Sequence, residues 1–405
     1  MSEWKKVKLK DCCHSISDGD HLPPPKSNSG VPFVTIANID ATNHIDFGNT
    51  MFVPLEYYNN LNDIRKAKFN DILYSVVGSF GKPVLIKENK PFAFQRHIAI
   101  LRPNNEIADS RFLYYVMLTR DFFMQADTVA IGAAQRTISL TALRNMEVKL
   151  PSMETQHRIA SILSRYDSLI ENYQKQIKLL EEAAQRLYKE WFVDLHFPGH
   201  ENTKIVDGVP EGWEKKKISD ICQTVGGGTP STKVAEYYDD GNIKWVTPTD
   251  ITRSNCLCLF DTDKKITEDG LAHSSAKILP PETILMTSRA SVGYFGIYDC
   301  EVCTNQGFIS CIPNERSYQM YMLYNLINRV EEIRQKAGGS TYLEISKSVF
   351  RDFDIVLPSC MVLETFQEQS HKMLDCMRQI AKQLRLLTEA RDRLLPKLMS
   401  GAIEV

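Results

Sequence analysis

The sequence predicts an α+β chain written twice. Two α/β-type globules are each followed by a long helix, and the two helices pair as an intramolecular antiparallel coiled coil under a pseudo-twofold repeat. Three observations predict this. The chain aligns with itself at a nearly constant offset: Trp4 with Trp213 at +209, Phe33-Val34-Thr35 with Trp245-Val246-Thr247 and Gly81 with Gly293 at +212, Leu150-Pro151-Ser152 with Leu357-Pro358-Ser359 at +207. Residues 151–192 contain no glycine and no proline beyond Pro151, and their apolar positions recur at alternating steps of four and three. Adding 207 to those positions lands on a second stripe in which eight of ten are apolar.

Residues 1–150 form the first globule. Short apolar runs at Val31–Ile36, Asp71–Val77 and His97–Leu101 alternate with turn clusters, and one helix is predicted over Ser110–Gln125. Residues 151–195 are the first spacer helix, with Pro151 placed just inside its start. Its seam is Ile159, Leu163, Tyr166, Ile170, Tyr173, Ile177, Leu180, Ala184, Leu187 and Trp191. Residues 196–212 are a Pro/Gly linker, and 213–357 the second globule. Residues 358–405 carry the second helix and a tail, with a seam of Phe366, Ser370, Met373, Met377, Ile380, Leu384, Leu387, Arg391, Leu394 and Leu398. A helix of about 40 residues is roughly 60 Å long. Matched seams in one chain favour intramolecular pairing through a high effective concentration; a heptad-paired homodimer and a domain-swapped tetramer are the alternatives.

At 405 residues the chain is long enough for two to three domains with real cores. Hydrophobic content of 43% and charged content of 24% are those of a globular chain. No apolar run reaches a membrane span, Met1-Ser2-Glu3-Trp4-Lys5-Lys6 lacks a signal-peptide core, and the ten cysteines read as reduced thiols of a cytoplasmic protein. The net charge is −2, with 18 Lys/Arg against 15 Asp/Glu in residues 1–150 and 17 against 22 in 201–357. This is no polycation, so any nucleic-acid contact has to come from local placement.

Several motifs then carry a resemblance. Gly226-Gly227-Gly228-Thr229-Pro230-Ser231, Trp245-Val246-Thr247-Pro248-Thr249-Asp250-Ile251, Ile266–Leu271 and Ser288-Arg289-Ala290-Ser291-Val292-Gly293 resemble the target recognition domain of type I restriction–modification specificity subunits. Asp18-Gly19-Asp20-His21 with Pro23 is similar to the loop at the matching place in the first half. Leu187–Phe192, Val209–Trp213 and Leu394–Gly401 resemble that family's helix ends and joint. The likeness spans essentially the whole chain. It implies a non-catalytic adaptor with no cofactor that reads a bipartite, asymmetric double-stranded DNA target, one half-site per globule. It also implies docking of two methyltransferase subunits and, optionally, restriction/translocase subunits, with the paired helices setting the gap. The first half departs at Tyr74–Gly81, which has no arginine where the second has Arg289.

Residue chemistry supplies the candidate contacts. Gly226–Gly228 lets a backbone approach a ligand, and Thr229, Ser231 and Lys233 suit phosphate oxygens; the alternative is a plain glycine-rich turn. No Gly-Lys-Ser/Thr follows at Walker spacing. Thr247 and Thr249 add hydroxyls. Arg289, Ser291 and Tyr294 follow a strand-like run, as do Ser79 and Lys82; the alternative for Arg289 is a surface ion pair. Gln95-Arg96 and Asn305-Gln306 occupy matching positions and carry groups able to contact base edges, or are merely strand-edge polarity. Gly132–Arg136, with Gln135 and Arg136, matches Gly338–Tyr342, with Ser340, Thr341 and Tyr342.

Enzyme signals fail. Asp18, Asp20 and His21 align with Gly227, Thr229 and Pro230, which cannot ligate a metal. Cys256-x-Cys258 and Cys300-x-x-Cys303 mimic zinc pairs but suit ordinary buried thiols, and no S-adenosylmethionine loop is present. The competing reading is a coiled-coil protein–protein scaffold without DNA specificity.

Overall fold

Each half is closed by a pair of short antiparallel strands that bring its two ends together. Lys5–Lys8 pairs with Glu147–Leu150, and Glu214–Lys217 pairs with Asp354–Leu357. The computed structural model describes residues 4–21, 23–40, 42–133, 135–254, 256–339 and 342–405. Its chain divides into two units, one of Met1–Leu169 with Leu387–Val405 and one of Ile170–Leu386.

In the first unit, a four-stranded antiparallel sheet runs in the order Cys13–Asp18, Ile98–Pro103, Ile72–Ser75, Pro83–Leu85. A second sheet sets Val31–Val34 between Met51–Val53 and Ala93–Phe94, the latter parallel with Phe33 opposite Ala93. The second unit repeats this order with Cys222–Gly226, Phe308–Pro313, Ile284–Thr287 and Phe295–Tyr298. Its small sheet sets Ile243–Val246 between Lys265–Ile266 and Cys303–Thr304, again with a parallel pair, Trp245 opposite Cys303. One strand is added, Cys258–Leu259, parallel to Phe295–Tyr298. The apolar runs read from the sequence fall on strands of these sheets, and the central strand Ile72–Ser75 and its counterpart Ile284–Thr287 are buried along their whole length.

Two local expectations are corrected. The helix predicted over Ser110–Gln125 is two, Ser110–Met117 and Arg120–Val129, because the Thr119 hydroxyl caps the second by accepting from Phe122 N. The first long helix runs Met153–Phe192, so Pro151 lies outside it; Ser152 accepts from Thr155 N at its hydroxyl and from Gln156 N at its carbonyl. Ser359 similarly accepts from Leu363 N at the head of Cys360–Met399. In the linker, Asp207 and Gly208, both at positive φ, turn the hairpin Ile205–Val206/Val209–Pro210.

The long helices do more than pair with each other. In the first unit Ile159, Ala160 and Leu163 sit in the globule's core with Phe112, Leu113 and Leu398. In the second, Tyr188, Trp191, Phe366, Leu374 and Met377 join the core around Ile284, Met286 and Tyr321, while Met373 packs against it. Ile177 packs with Ile380 and Ala381, flanked by Tyr173, Leu180 and Leu384. Trp191 meets Phe366 at 5.8 Å. One index rises as the other falls, so the helices run antiparallel. Ile170 is buried, and Tyr166, Leu187, Leu387 and Leu394 are half-buried. The seam is thus partly a globule-docking stripe, a division the heptad spacing does not encode. The non-apolar Arg391 has a partner: its Nη1 lies 3.0 Å from Asp167 Oδ1, whose other oxygen accepts from Tyr115 Oη at 2.6 Å.

One device recurs where helix meets globule. Buried Gln156 accepts from Asp109 N at 3.0 Å, and buried Gln367 accepts from Met320 N at 2.9 Å, each at the start of a globule helix. Helix-start N–H groups lack intrahelical partners, and these amides supply them.

Candidate nucleic-acid interface

In the second unit, the turn after Ile284–Thr287 is held by two other loops. Ser288 N donates to Gly307 O (2.8 Å), Ile345 N to Ser288 O (3.0 Å) and Ala290 N to Leu343 O (2.8 Å). Gly338 and Glu344 exchange both backbone bonds, at 3.0 and 2.8 Å. Ala290 sits at φ 59°, a strained conformation for a residue with a Cβ, which this clamp imposes. The result is a cavity of about 260 Å³ lined by Arg289, Asn305, Gln306, Pro248 and Tyr342.

The same clamp is present in the first unit. Val76 N donates to His97 O (2.9 Å), Ile138 N to Val76 O (2.8 Å) and Gly78 N to Arg136 O (2.9 Å), while Ile131 and Thr137 exchange bonds at 3.0 and 2.8 Å. The cavity here measures about 330 Å³ and is lined by Asp18, Arg96, His97, Gln135 and Thr137 among others. The Nε2 of Gln95 and Nδ1 of His97 are 2.7 Å apart. Burial, together with the Arg96 guanidinium, lowers the His97 pKa and favours the neutral imidazole.

Of the residues proposed from sequence, the structure brings Arg289, Gln306 and Tyr342 to one cavity and Arg96 and Gln135 to the other. Arg289 is half exposed and 3.6 Å from Glu344, an exposed pair worth at most about 1 kcal/mol. Ser231, Lys233, Thr249, Ser291 and Tyr294 are exposed, as are Ser79 and Thr229. Arg334 lies over the Tyr294 ring at 5.9 Å. Ser340 and Thr341 lie outside the described residues.

Other candidates are occupied within the chain. Thr247 caps the helix Pro248–Thr252, with its N–H and hydroxyl both 2.7 Å from Asp250 Oδ2. Arg136 is bonded to the Asp127 carboxylate and carbonyl and lies 5.4 Å over the Phe80 ring. Lys82 is half-buried, its Nζ 3.5 Å from Ile39 O.

The glycine-rich loop also has an internal explanation. A Cβ on Gly227 would lie 2.1 Å from Thr304 O and 2.2 Å from Asn305 O, and one on Gly19 2.2 Å from Phe94 O and 2.5 Å from Gln95 O. Both glycines seat a loop against the strand end. They also move the internal alignment by one residue, since Gly19 corresponds to Gly227, and hence His21 to Thr229.

The acid-rich loop is internally satisfied. Asp20 accepts from Tyr57 Oη at 2.6 Å and from Arg65 at 3.3 Å, while Asp18 lies 2.8 Å from His21 Nε2. Cys300 accepts from Lys244 Nζ, and Cys258 N donates to Cys256 Sγ. Sequence reasoning missed the contact in which the Thr229 hydroxyl donates to Gln306 Oε1, because 77 residues separate the partners.

Among the described residues no helix is long and apolar enough to cross a membrane. The model of the type I restriction modification DNA specificity domain matches residues 1–182 and again 210–393. The type I restriction enzyme HindI specificity subunit of Haemophilus influenzae is 24% identical, with both chains covered in full. The MjaIX specificity subunit of Methanocaldococcus jannaschii is 38% identical over 153 residues, which is 37% of this chain and 35% of that one. The crystal structure of the type I restriction-modification S subunit from M. genitalium shares the fold, with a TM-score of 0.63 at 17% identity over 98% of this chain and 96% of that one. The chain belongs to the type I restriction modification DNA specificity domain family and carries that domain twice.

Proposed function

We propose that this chain reads a bipartite, asymmetric double-stranded DNA sequence, one half-site per globule, and catalyses no reaction itself. Residues 1–150 and 213–357 are the two recognition domains, and 151–195 and 358–405 carry the spacer helices. The chain docks two methyltransferase subunits and, optionally, restriction/translocase subunits. Relatives named as specificity subunits of type I restriction enzymes support that assembly.

One observation carries the reading: a three-loop clamp recurs bond for bond in both units, yet its tips differ, Arg96 and Gln135 in one and Arg289, Gln306 and Tyr342 in the other. A constant frame with changed polar tips suits the recognition of two different base sequences. Exposed Ser231, Lys233 and Arg289 suit phosphate oxygens, and Gln306, Tyr342, Arg96 and Gln135 suit base edges. With a net charge of −2, nonspecific affinity is modest and specificity rests on few contacts.

The test is co-expression with its methyltransferase subunits in a methylation-free host, followed by long-read detection of modified bases. A modified motif of two unlike parts around an unspecified gap is expected. Absence of any modified motif contradicts the proposal and favours the scaffold reading.

A further inference from the structure

The second unit's cavity has a hydrogen bond that couples two loops at its rim: the Thr229 hydroxyl donates to Gln306 Oε1. Both residues are exposed, so water would satisfy either group, and burial does not account for the bond. Its consequence is orientation. A primary amide offers a carbonyl acceptor and an NH₂ donor pair, and a half-turn about its last torsion exchanges them. Here Oε1 accepts from Thr229, which leaves the NH₂ and the second lone pair of Oε1 for a ligand. An adjacent donor and acceptor is what the N7/N6 edge of adenine requires.

The first unit supplies an independent observation. Arg96 follows the parallel pair Val34–Phe94 by two residues, as Gln306 follows Val246–Thr304. Gly19 and Gly227 abut the equivalent carbonyls, so His21 stands where Thr229 does. There the imidazole bonds instead to Asp18 at 2.8 Å, and Asp18 lines the cavity with Arg96. The same two places therefore hold a hydroxyl and an amide in one unit and an imidazole and a guanidinium in the other. They vary on a frame that does not.

We propose that Thr229 is a positioning residue that holds Gln306 in place for base contact, and that adenine is the base Gln306 selects. This rests on the DNA-reading function proposed above, and the experiment separates the two. The complex with its methyltransferase subunits is produced with Gln306→Ala, Thr229→Val and Thr229→Ser. The base preference at every motif position is then read by long-read sequencing, the other half-site serving as internal control. Gln306→Ala is expected to relax one adenine position of one half-site by about 5- to 150-fold. Thr229→Val is expected to relax that same position by about 2- to 10-fold, the worth of one neutral hydrogen bond, and Thr229→Ser to restore it. Thr229→Ala replaces the valine variant if added bulk abolishes modification. If Gln306→Ala moves no position, the reading of this cavity as a base contact fails. If it relaxes a position that neither Thr229→Val nor Thr229→Ala touches, the cavity reading stands and the positioning proposal is overturned.

Discussion

Glu282 is the residue whose neutralisation should reveal how the second globule grips its helix. Its carboxylate lies 3.0 Å from His371 Nε2 and 2.8 Å from Arg378 Nη2, both on the helix Cys360–Met399, and Asp375 bonds the far sides of both at 3.1 and 2.8 Å. The bond to His371, reinforced by Arg378, holds the Glu282 carboxyl down at about 2, while the bond to Glu282 raises His371. A displacement from 4.5 to about 2 corresponds to roughly 3 kcal/mol; with 27% of the side chain in water, about 2 kcal/mol is the expected worth. The folded carboxyl titrates below the unfolded one, so its contribution is present above pH 4.5 and disappears as pH falls toward 2. The raised imidazole contributes fully below 6.5 and loses that contribution as pH rises through its folded value. Glu282→Gln should therefore lower stability most between about pH 4.5 and 6.5, with the deficit shrinking on either side. Urea unfolding of both proteins across pH 2.5–8.5 measures it. Equal midpoints at pH 5.5, or a deficit independent of pH, would refute the coupling.

Three further outcomes follow from the same geometry. Arg289→Ala should weaken binding of the complex to target and non-target DNA alike and reduce the salt slope by about 0.9; loss confined to the target would make Arg289 a base reader. Gln156→Leu and Gln367→Leu each strand a buried helix-start N–H and should cost about 1–3 kcal/mol in chemical unfolding. Unchanged unfolding midpoints would show that water replaces the amides.

Much of the fold was legible because burial leaves a periodic record. The two stripes of apolar residues predicted paired helices, and the two structures of Leu-Pro-Ser, at 150–152 and 357–359, end a strand and cap a helix in both halves. What periodicity could not distinguish was the partner: Ile159 and Phe366 occupy heptad positions but bury against globule cores. Arg391 broke the stripe for a reason held by Asp167, 224 residues away. The candidate interface was legible only as loops. Composition marked Thr247 and Arg136 as suitable hydrogen-bond formers, but not that Asp250 and Asp127 already occupy them. The Thr229–Gln306 bond left no trace in local spacing, since tertiary folding alone brings those loops together.

Whether each globule reads its own half-site is decided by exchanging residues 1–150 for the first globule of another member of the family and sequencing the modified bases. A hybrid motif is expected, in which one part changes and the other, assigned to residues 213–357, is retained. A motif altered in both parts would contradict that assignment, because the two globules would then be reading the DNA jointly.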